Sequence, residues 1–134
     1  MARCRARSIV VKFHSKEGKG GNTMATYGLM IDNKYCTGCH SCEIACRNEL
    51  DLPMGQWGIK LMELGPWRKL DNSWEGKYVP VPTTYCNLCE ERVAAGGVPS
   101  CVLHCLSEAI EYGTLEELAG KMAEKGEQCS IFLP

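Results

Sequence analysis

Residues 35–49 read YCTGCHSCEIACRNE and contain four cysteines, Cys36, Cys39, Cys42 and Cys46, in the spacing C-x2-C-x2-C-x3-C. This spacing places three thiols on one tight loop and the fourth one helical turn further along the chain. It is typical of proteins that hold [4Fe–4S] clusters, in which the fourth cysteine binds the other of two clusters. The stretch therefore predicts iron–sulfur chemistry.

A second set of cysteines follows in the spacing C-x2-C-x11-C-x3-C, at Cys86, Cys89, Cys101 and Cys105. We expect the two sets to exchange their last members, because the helical turn before the fourth cysteine points away from its own cluster. Each cluster would then hold both halves of the chain together. The predicted ligands are Cys36, Cys39, Cys42 and Cys105 for cluster 1, and Cys86, Cys89, Cys101 and Cys46 for cluster 2.

The composition of the 134-residue chain favours a bound metal. Ten cysteines, 14 glycines and 6 prolines leave few apolar side chains for a core. In a small domain of this kind, the free energy of metal binding contributes directly to folding. Structural zinc, which is usually bound by paired C-x2-C motifs, and a disulfide framework are the alternatives. The third closely spaced thiol, Cys42, favours clusters over zinc.

Charge divides the chain into two parts. Residues 1–23 carry a net charge of +5 and the remainder carries −6, which argues against nucleic acid as a ligand. We expect 1–23 to be a disordered leader, with Met24 as an equally good natural start. Residues 24–134 should form one domain with a linker insertion at about 51–85. No stretch is apolar enough for a secretory signal or a membrane span, so the expected location is cytoplasmic, with export beside a signal-bearing partner left open.

The local pattern predicts alternating strands and helices. We expect strands at 27–31, 59–64 and 109–112 and an extended, proline-containing segment at 77–84. A helix over 41–50 should turn Ile44 inward and Glu43 to water. A second helix over 99–106 should place Cys101 and Cys105 on one face. A third, 115–125, is predicted from the capping box of Thr114 and Glu117.

Several other residues have side chains that bind metals or partners, but we do not expect them to be ligands. His40 and His104 lie beside predicted ligands, and eight cysteines already complete two clusters. Cys4 and Cys129 fall outside both sets and are interpreted as free thiols. Trp57, Trp67 and Trp74 suit a docking surface and core packing equally well. We find no constellation of catalytic residues in the sequence.

Taken together, YCTGCHSCEIACRNE at 35–49, a linker containing Trp57, and YCNLCEERVAAGGVPSCVLHCLSEAIEYG at 85–113 resemble the iron–sulfur subunits of the dimethyl sulfoxide reductase family. The resemblance covers roughly residues 26–125. It implies an α+β, bacterial-type ferredoxin-like fold, with two pseudo-repeated β-α-β halves around two [4Fe–4S] clusters, an inserted linker and a C-terminal helix. Arg47 and Leu106 replace the proline that commonly follows the last cysteine of such motifs.

The resemblance also implies a function. The chain would relay single electrons to or from a large molybdopterin- or tungstopterin-containing catalytic subunit, with a membrane anchor subunit as a further possible partner and no membrane insertion of its own. Many relatives are longer and carry four clusters, whereas eight motif cysteines suffice for two. A free ferredoxin serving several reductases and a structural zinc-binding module are the alternative functions.

Overall fold

Two small antiparallel sheets and four helices make up the part of the chain that the structure describes. The structure is a computed structural model and describes residues 26–126 and 128–134; the expected leader at 1–23, Met24 and Cys4 lie outside that part. The elements, in chain order, are β1 (Tyr27–Asp32), α1 (Ser41–Glu49), β2 (Ile59–Arg68), β3 (Trp74–Pro82), α2 (Glu90–Ala94), α3 (Ser100–Leu103), β4 (Ile110–Thr114), α4 (Leu115–Lys125) and β5 (Cys129–Phe132).

The first sheet has the order β4-β1-β5, with β1 in the centre and antiparallel to both neighbours. Leu29, Met30 and Ile31 in β1 are almost completely buried. Successive strand residues point to opposite faces, so Leu29 and Ile31 join the core that contains several of the cysteines, while α4 packs on the sheet. The predicted strand at 27–31 is confirmed. The strand β5 was not predicted, because the segment 128–134 is too short to place from its sequence.

The second sheet is a hairpin of β2 and β3 inside the expected linker. Ile59 pairs with Pro82 and Leu61 with Pro80, and both Ile59 and Leu61 are buried. Two strands leave one edge of each free, which is where prolines without an N–H are tolerated. The expectation of a strand near 59–64 followed by an extended proline-containing segment is confirmed, although both strands extend further toward the turn than predicted.

The helix around the third and fourth cysteines of the second set is shorter than predicted. Pro99 caps α3 rather than occupying its first turn, and the helix ends at Leu103. Cys101 is therefore helical, whereas Cys105 lies beyond the helix in the turn that leads to β4. The prediction that Cys101 and Cys105 share one helical face is wrong, since the chain leaves the helix between them. The helix α2, which lies between Cys89 and Cys101 of the second cysteine set, was not predicted.

The capping box predicted at the start of α4 is confirmed. The Thr114 hydroxyl accepts a hydrogen bond from the Glu117 N–H at 3.4 Å, and the Glu117 carboxylate accepts one from the Thr114 N–H at 3.1 Å. Leu118, one turn into the helix, is fully buried. The box satisfies two N–H groups that the first helical turn leaves without intrahelical partners.

Replacing Thr114 with alanine is expected to destabilise the protein by about 1 kcal/mol, because the acceptor for the Glu117 N–H is lost. The free energy of unfolding, measured by urea titration of the metal-loaded protein, checks this. Thr84→Ala, at an exposed position before the second cysteine set, is the control and should change stability by less. Equal losses in both variants would contradict a specific role for the cap.

Candidate metal centres

Four of the predicted ligands meet at one cavity. Cys36 and Cys39 lie on the loop between β1 and α1, Cys42 lies in the first turn of α1, and Cys105 follows α3. The hairpin residues Leu61 and Pro80 also line this cavity. We call this set thiol group 1: Cys36, Cys39, Cys42 and Cys105.

The other four predicted ligands form a second set. The pKa of the Cys46 thiol is raised by burial and by the neighbouring thiols of Cys86 and Cys89. Besides burial, the thiol that contributes most to raising the pKa of Cys101 is that of Cys46. Mutual effects of this kind indicate that the sulfur atoms are neighbours, and Cys42 of thiol group 1 has a smaller effect on the pKa of Cys101. We call this set thiol group 2: Cys46, Cys86, Cys89 and Cys101.

Each thiol group thus takes three cysteines from one sequence set and one from the other. The helix α1 carries Cys42 to group 1 and Cys46, one turn later, to group 2. In the second half, Cys101 and Cys105 divide in the same way, on either side of the end of α3. The helices α1 and α3 pack against each other, and this contact brings the two halves together.

Backbone N–H groups point at the sulfur atoms. The N–H of Gly38 donates to Cys36, and the N–H of Leu88 donates to Cys86 at the equivalent position of the second motif. Both donors have left-handed backbone conformations, with φ values of 72° and 56°. Glycine adopts this conformation without strain, whereas leucine does so at a cost. Hydrogen bonds to sulfur stabilise negative charge there.

Burial makes most of these thiols poor acids in the absence of a cation. Burial, the largest effect, raises the pKa of Cys42 and of Cys46 to about 12. Burial also raises the pKa of Cys101, which is only 4% exposed. The exposed thiol of Cys39 behaves differently, because hydrogen bonding by Ser41, 3.4 Å away, lowers its pKa. A bound metal cation deprotonates a coordinating thiol, so a positive centre would convert the buried thiols into thiolates.

A glycine allows the hairpin to approach thiol group 2. A Cβ atom at Gly58 would lie 2.6 Å from Cys46 Sγ and 3.1 Å from Leu50 Cδ1. The next residue, Ile59, donates its N–H to the Cys46 sulfur. The start of β2 therefore covers this thiol directly, and only a residue without a side chain fits at position 58.

Sequence reasoning placed Glu43 incorrectly. It is buried, at 3% exposure, whereas Ile44 is 50% exposed, so the helix α1 is rotated relative to the prediction. The Glu43 carboxylate accepts a hydrogen bond from the Leu61 N–H at 2.6 Å and lies 3.0 Å from Lys60 Nζ and 3.0 Å from His40 Nδ1. Burial opposes ionisation, but these partners outweigh it and lower the pKa of Glu43.

The remaining candidates have other contacts. The His104 ring lies 2.9 Å from the Ser100 carbonyl oxygen, at the end of α3. Cys129 is half-buried in β5, opposite Asp32 in the strand pairing. Trp67 and Trp74 are exposed near the hairpin turn, whereas Trp57 is partly buried, with Lys60 Nζ 4.2 Å from its ring centroid.

The described cysteines are joined neither by disulfide bonds nor around a single point. All nine cysteines within 26–126 and 128–134 are free thiols. In those same ranges, no three histidine, cysteine or acidic side chains converge closely enough to hold one metal ion. A zinc ion would need four ligands at about 2.3 Å from a single point. Among the described helices, none has the length and apolar character needed to cross a membrane.

No protein-family model matches the chain, but curated relatives do. Over 81 residues (58% of this chain and 40% of the relative) it is 31% identical to one chain of the anaerobic dimethyl sulfoxide reductase of Escherichia coli. Over 42 residues (31% and 16%) it is 43% identical to an iron–sulfur subunit assigned to a dimethyl sulfoxide reductase of Halobacterium salinarum. It is also 21% identical over 153 aligned positions (72% and 80%) to one chain of the polysulfide reductase of Wolinella succinogenes.

These relatives are all named as parts of a reductase, and the one from Halobacterium salinarum is named as its iron–sulfur subunit. The protein spans less than half the length of the first two, and most of the length of the polysulfide reductase relative. The name of the Halobacterium salinarum relative agrees with the iron–sulfur chemistry that the cysteine spacing predicts. Over part of its length, this protein is similar to chains of dimethyl sulfoxide reductases, one of which is named as an iron–sulfur subunit.

Proposed function

We propose that the chain relays single electrons through two [4Fe–4S] clusters to or from a molybdopterin- or tungstopterin-containing catalytic subunit. The observation that carries this proposal is the cavity that Cys36, Cys39 and Cys42 of the first motif share with Cys105 of the second. The effects of the other four thiols on one another's pKa support a second group of the same kind. Such crossed sets are the ligand pattern of two-cluster ferredoxins. The names of the relatives support an electron-transfer role beside a reductase.

The donor set fits the proposed clusters. Thiolates are the usual ligands of [4Fe–4S] clusters, and each group offers four free thiols. Backbone N–H groups already point at several of the sulfur atoms, as the Ser100 N–H does toward Cys89 Sγ at 3.5 Å. When bound, the clusters would supply one-electron exchange. The proposed ligands are Cys36, Cys39, Cys42 and Cys105 for cluster 1, and Cys86, Cys89, Cys101 and Cys46 for cluster 2.

The protein's own residues would exclude water from the proposed clusters and define where a partner makes contact. Cys42, Cys46, Cys89 and Cys101 are buried, so half of the eight proposed ligands are removed from solvent. Burial and hydrogen bonds to sulfur are the means by which a protein adjusts the potential of an iron–sulfur centre. Cys39, in contrast, is exposed, which makes the edge of thiol group 1 the point nearest to a partner.

An apolar surface surrounds this exposed edge and supports a dedicated partner. Ile44 is 50% exposed, Leu103 56% and Leu106 90%, and all three line the same groove as Cys39. Large exposed apolar side chains grouped together are typical of protein interfaces. We assign this surface to the catalytic subunit. A freely diffusing ferredoxin, the alternative, has no evident need for such a surface.

Three further features belong to the proposal. The fold over 24–134 is of the bacterial ferredoxin type with two related halves, which is supported by the packing of α1 against α3 and the pairing of β1 with β4. The location is cytoplasmic, which is supported by nine free thiols among the described cysteines. A membrane anchor subunit is a further proposed partner, since the relatives are named as single chains of larger reductases.

Anaerobic purification from the native source tests the proposal. We expect a brown protein with about eight irons per chain, absorption that bleaches on reduction, and a large pterin-containing protein that co-purifies. A colourless protein with stoichiometric zinc would contradict the clusters and favour the zinc module. An iron-loaded monomer that exchanges electrons with unrelated reductases would favour the free ferredoxin.

A further inference from the structure

We propose that the Glu43–Lys60 ion pair, whose carboxylate is buried, sets the reduction potential of the centre at thiol group 1 independently of thiol group 2. This inference rests on the proposed function, because it assumes a redox centre at each group. It assigns a tuning role to two residues that are not ligands.

Glu43 is placed directly against thiol group 1. It follows Cys42 in α1, and its backbone N–H donates to the Cys42 sulfur. Two residues that contact its carboxylate, His40 and Leu61, line the same cavity as the thiols of group 1. A negative charge fixed beside this cavity opposes the arrival of an additional electron on a centre bound there.

The position of this charge is fixed by its partners. The Leu61 N–H, Lys60 Nζ and His40 Nδ1 lie 2.6 Å, 3.0 Å and 3.0 Å from carboxylate oxygens of Glu43. With 3% of its side chain exposed, Glu43 is shielded from solvent. Water and salt screen buried charges much less than exposed ones. The carboxylate therefore acts on group 1 as a fixed, weakly screened charge.

Lys60 provides the opposing charge. Its ammonium group lies 3.0 Å from Glu43 Oε1 and 4.2 Å from the ring centroid of Trp57, and both contacts hold it over the hairpin. Removing Glu43 or Lys60 should therefore change the local charge in opposite directions. A role confined to packing would give no such reversal of sign.

Thiol group 2 has a weaker counterpart. Glu49 contributes to the raised pKa of Cys46, but as the smallest of the effects that act on it. Its partner Arg92 lies 3.0 Å away, and both side chains are more than a quarter exposed. Solvent screens an exposed pair of this kind. Glu43 is 3% exposed and Glu49 28%, so the burial of the carboxylate distinguishes group 1 from group 2.

The test is a potentiometric titration of the anaerobic metal-loaded protein, followed by electron paramagnetic resonance at constant pH, for Glu43→Gln and Lys60→Gln. Glutamine at position 43 retains an acceptor for the Leu61 N–H. At a fixed solution potential near the midpoint, we expect the ratio of reduced to oxidised centre at group 1 to rise about three- to tenfold in Glu43→Gln. This corresponds to about 30 to 60 mV at 59 mV per decade.

The ratio at group 1 should fall in Lys60→Gln, and group 2 should be unchanged in both variants. Glu63→Gln is the matched control, since it removes an exposed carboxylate from the same hairpin. Shifts of the same sign in both variants, or none, would overturn the inference while leaving the proposed function intact. Protein without iron would overturn both. If Glu43→Gln does not fold, the sign of the shift in Lys60→Gln decides.

Discussion

Cys101→Ala is expected to eliminate the centre at thiol group 2 and to lower the stability of the whole domain. The Cys101 side chain is 4% exposed and belongs to the core that contains Leu29, Ile31 and Ile110. Alanine cannot ligate a metal, and the free energy of metal binding is lost from the folding equilibrium. That free energy is on the order of 10 kcal/mol for structural zinc peptides, far more than the cost of the small cavity.

The crossed arrangement extends this effect to thiol group 1. Loss of the centre at group 2 releases Cys46, which lies on the same helix as Cys42. We therefore expect the variant to contain about half of the normal iron at most, and to unfold at a markedly lower temperature. Iron analysis, electron paramagnetic resonance of the reduced protein and thermal unfolding measure these effects.

Cys129→Ala is the matched control for Cys101→Ala. It also removes one thiol, but a half-buried one in β5 that belongs to neither thiol group. Iron content should stay at the level of the unmodified chain. Retention of both paramagnetic signals in Cys101→Ala, or an equal loss of iron in Cys129→Ala, would refute the proposed ligand set.

Gly58→Ala is expected to damage thiol group 2 without removing any ligand. The added methyl group would lie 2.6 Å from Cys46 Sγ, a contact that carbon and sulfur atoms do not tolerate. Either the sulfur or the start of β2 must move, and the N–H of Ile59 would then lose its alignment with Cys46. Overpacking of this kind costs about 1–3 kcal/mol, so we expect lower stability together with incomplete loading of group 2.

Gly120→Ala distinguishes this effect from a general response to glycine replacement. Gly120 lies within α4, and a Cβ atom there meets nothing within 4 Å. Alanine has a higher helix propensity, so stability should rise by up to about 1 kcal/mol. Unfolding by denaturant and iron content are measured for both variants. If Gly58→Ala matched the unmodified chain in both measurements, the close approach of β2 to Cys46 would be wrong.

Features determined by local sequence were predicted well. The short apolar run at 27–31 gave the strand β1, and the capping residues Thr114 and Glu117 gave the start of α4. In both cases the residues that determine the feature lie within a few positions of one another. The assignment of the eight cysteines to two ligand sets stays a prediction, which the cavity lined by Cys36, Cys39, Cys42 and Cys105 supports.

Features that depend on distant partners were not predicted. Glu43 was expected to face water because it is charged. Its buried position depends on the Lys60 ammonium group and the Leu61 N–H, which lie 17 and 18 residues further along the chain, in the hairpin. The strand β5 exists because β1 offers it a free edge. The end of α3 at Leu103 separates Cys101 from Cys105, and helical periodicity alone does not reveal where a helix stops.

The step from Cys42 to Cys46 makes α1 a spacer of fixed length. Four helical residues rise by about 6 Å, and each inserted residue would rotate the following side chain by about 100°. An insertion or deletion between these cysteines would therefore turn one thiol away from its group. Length changes should instead be tolerated at the hairpin turn near Asn72 and in the segment 90–100, where the chain connects elements at the surface. Natural variation in chain length is expected to concentrate at those two places.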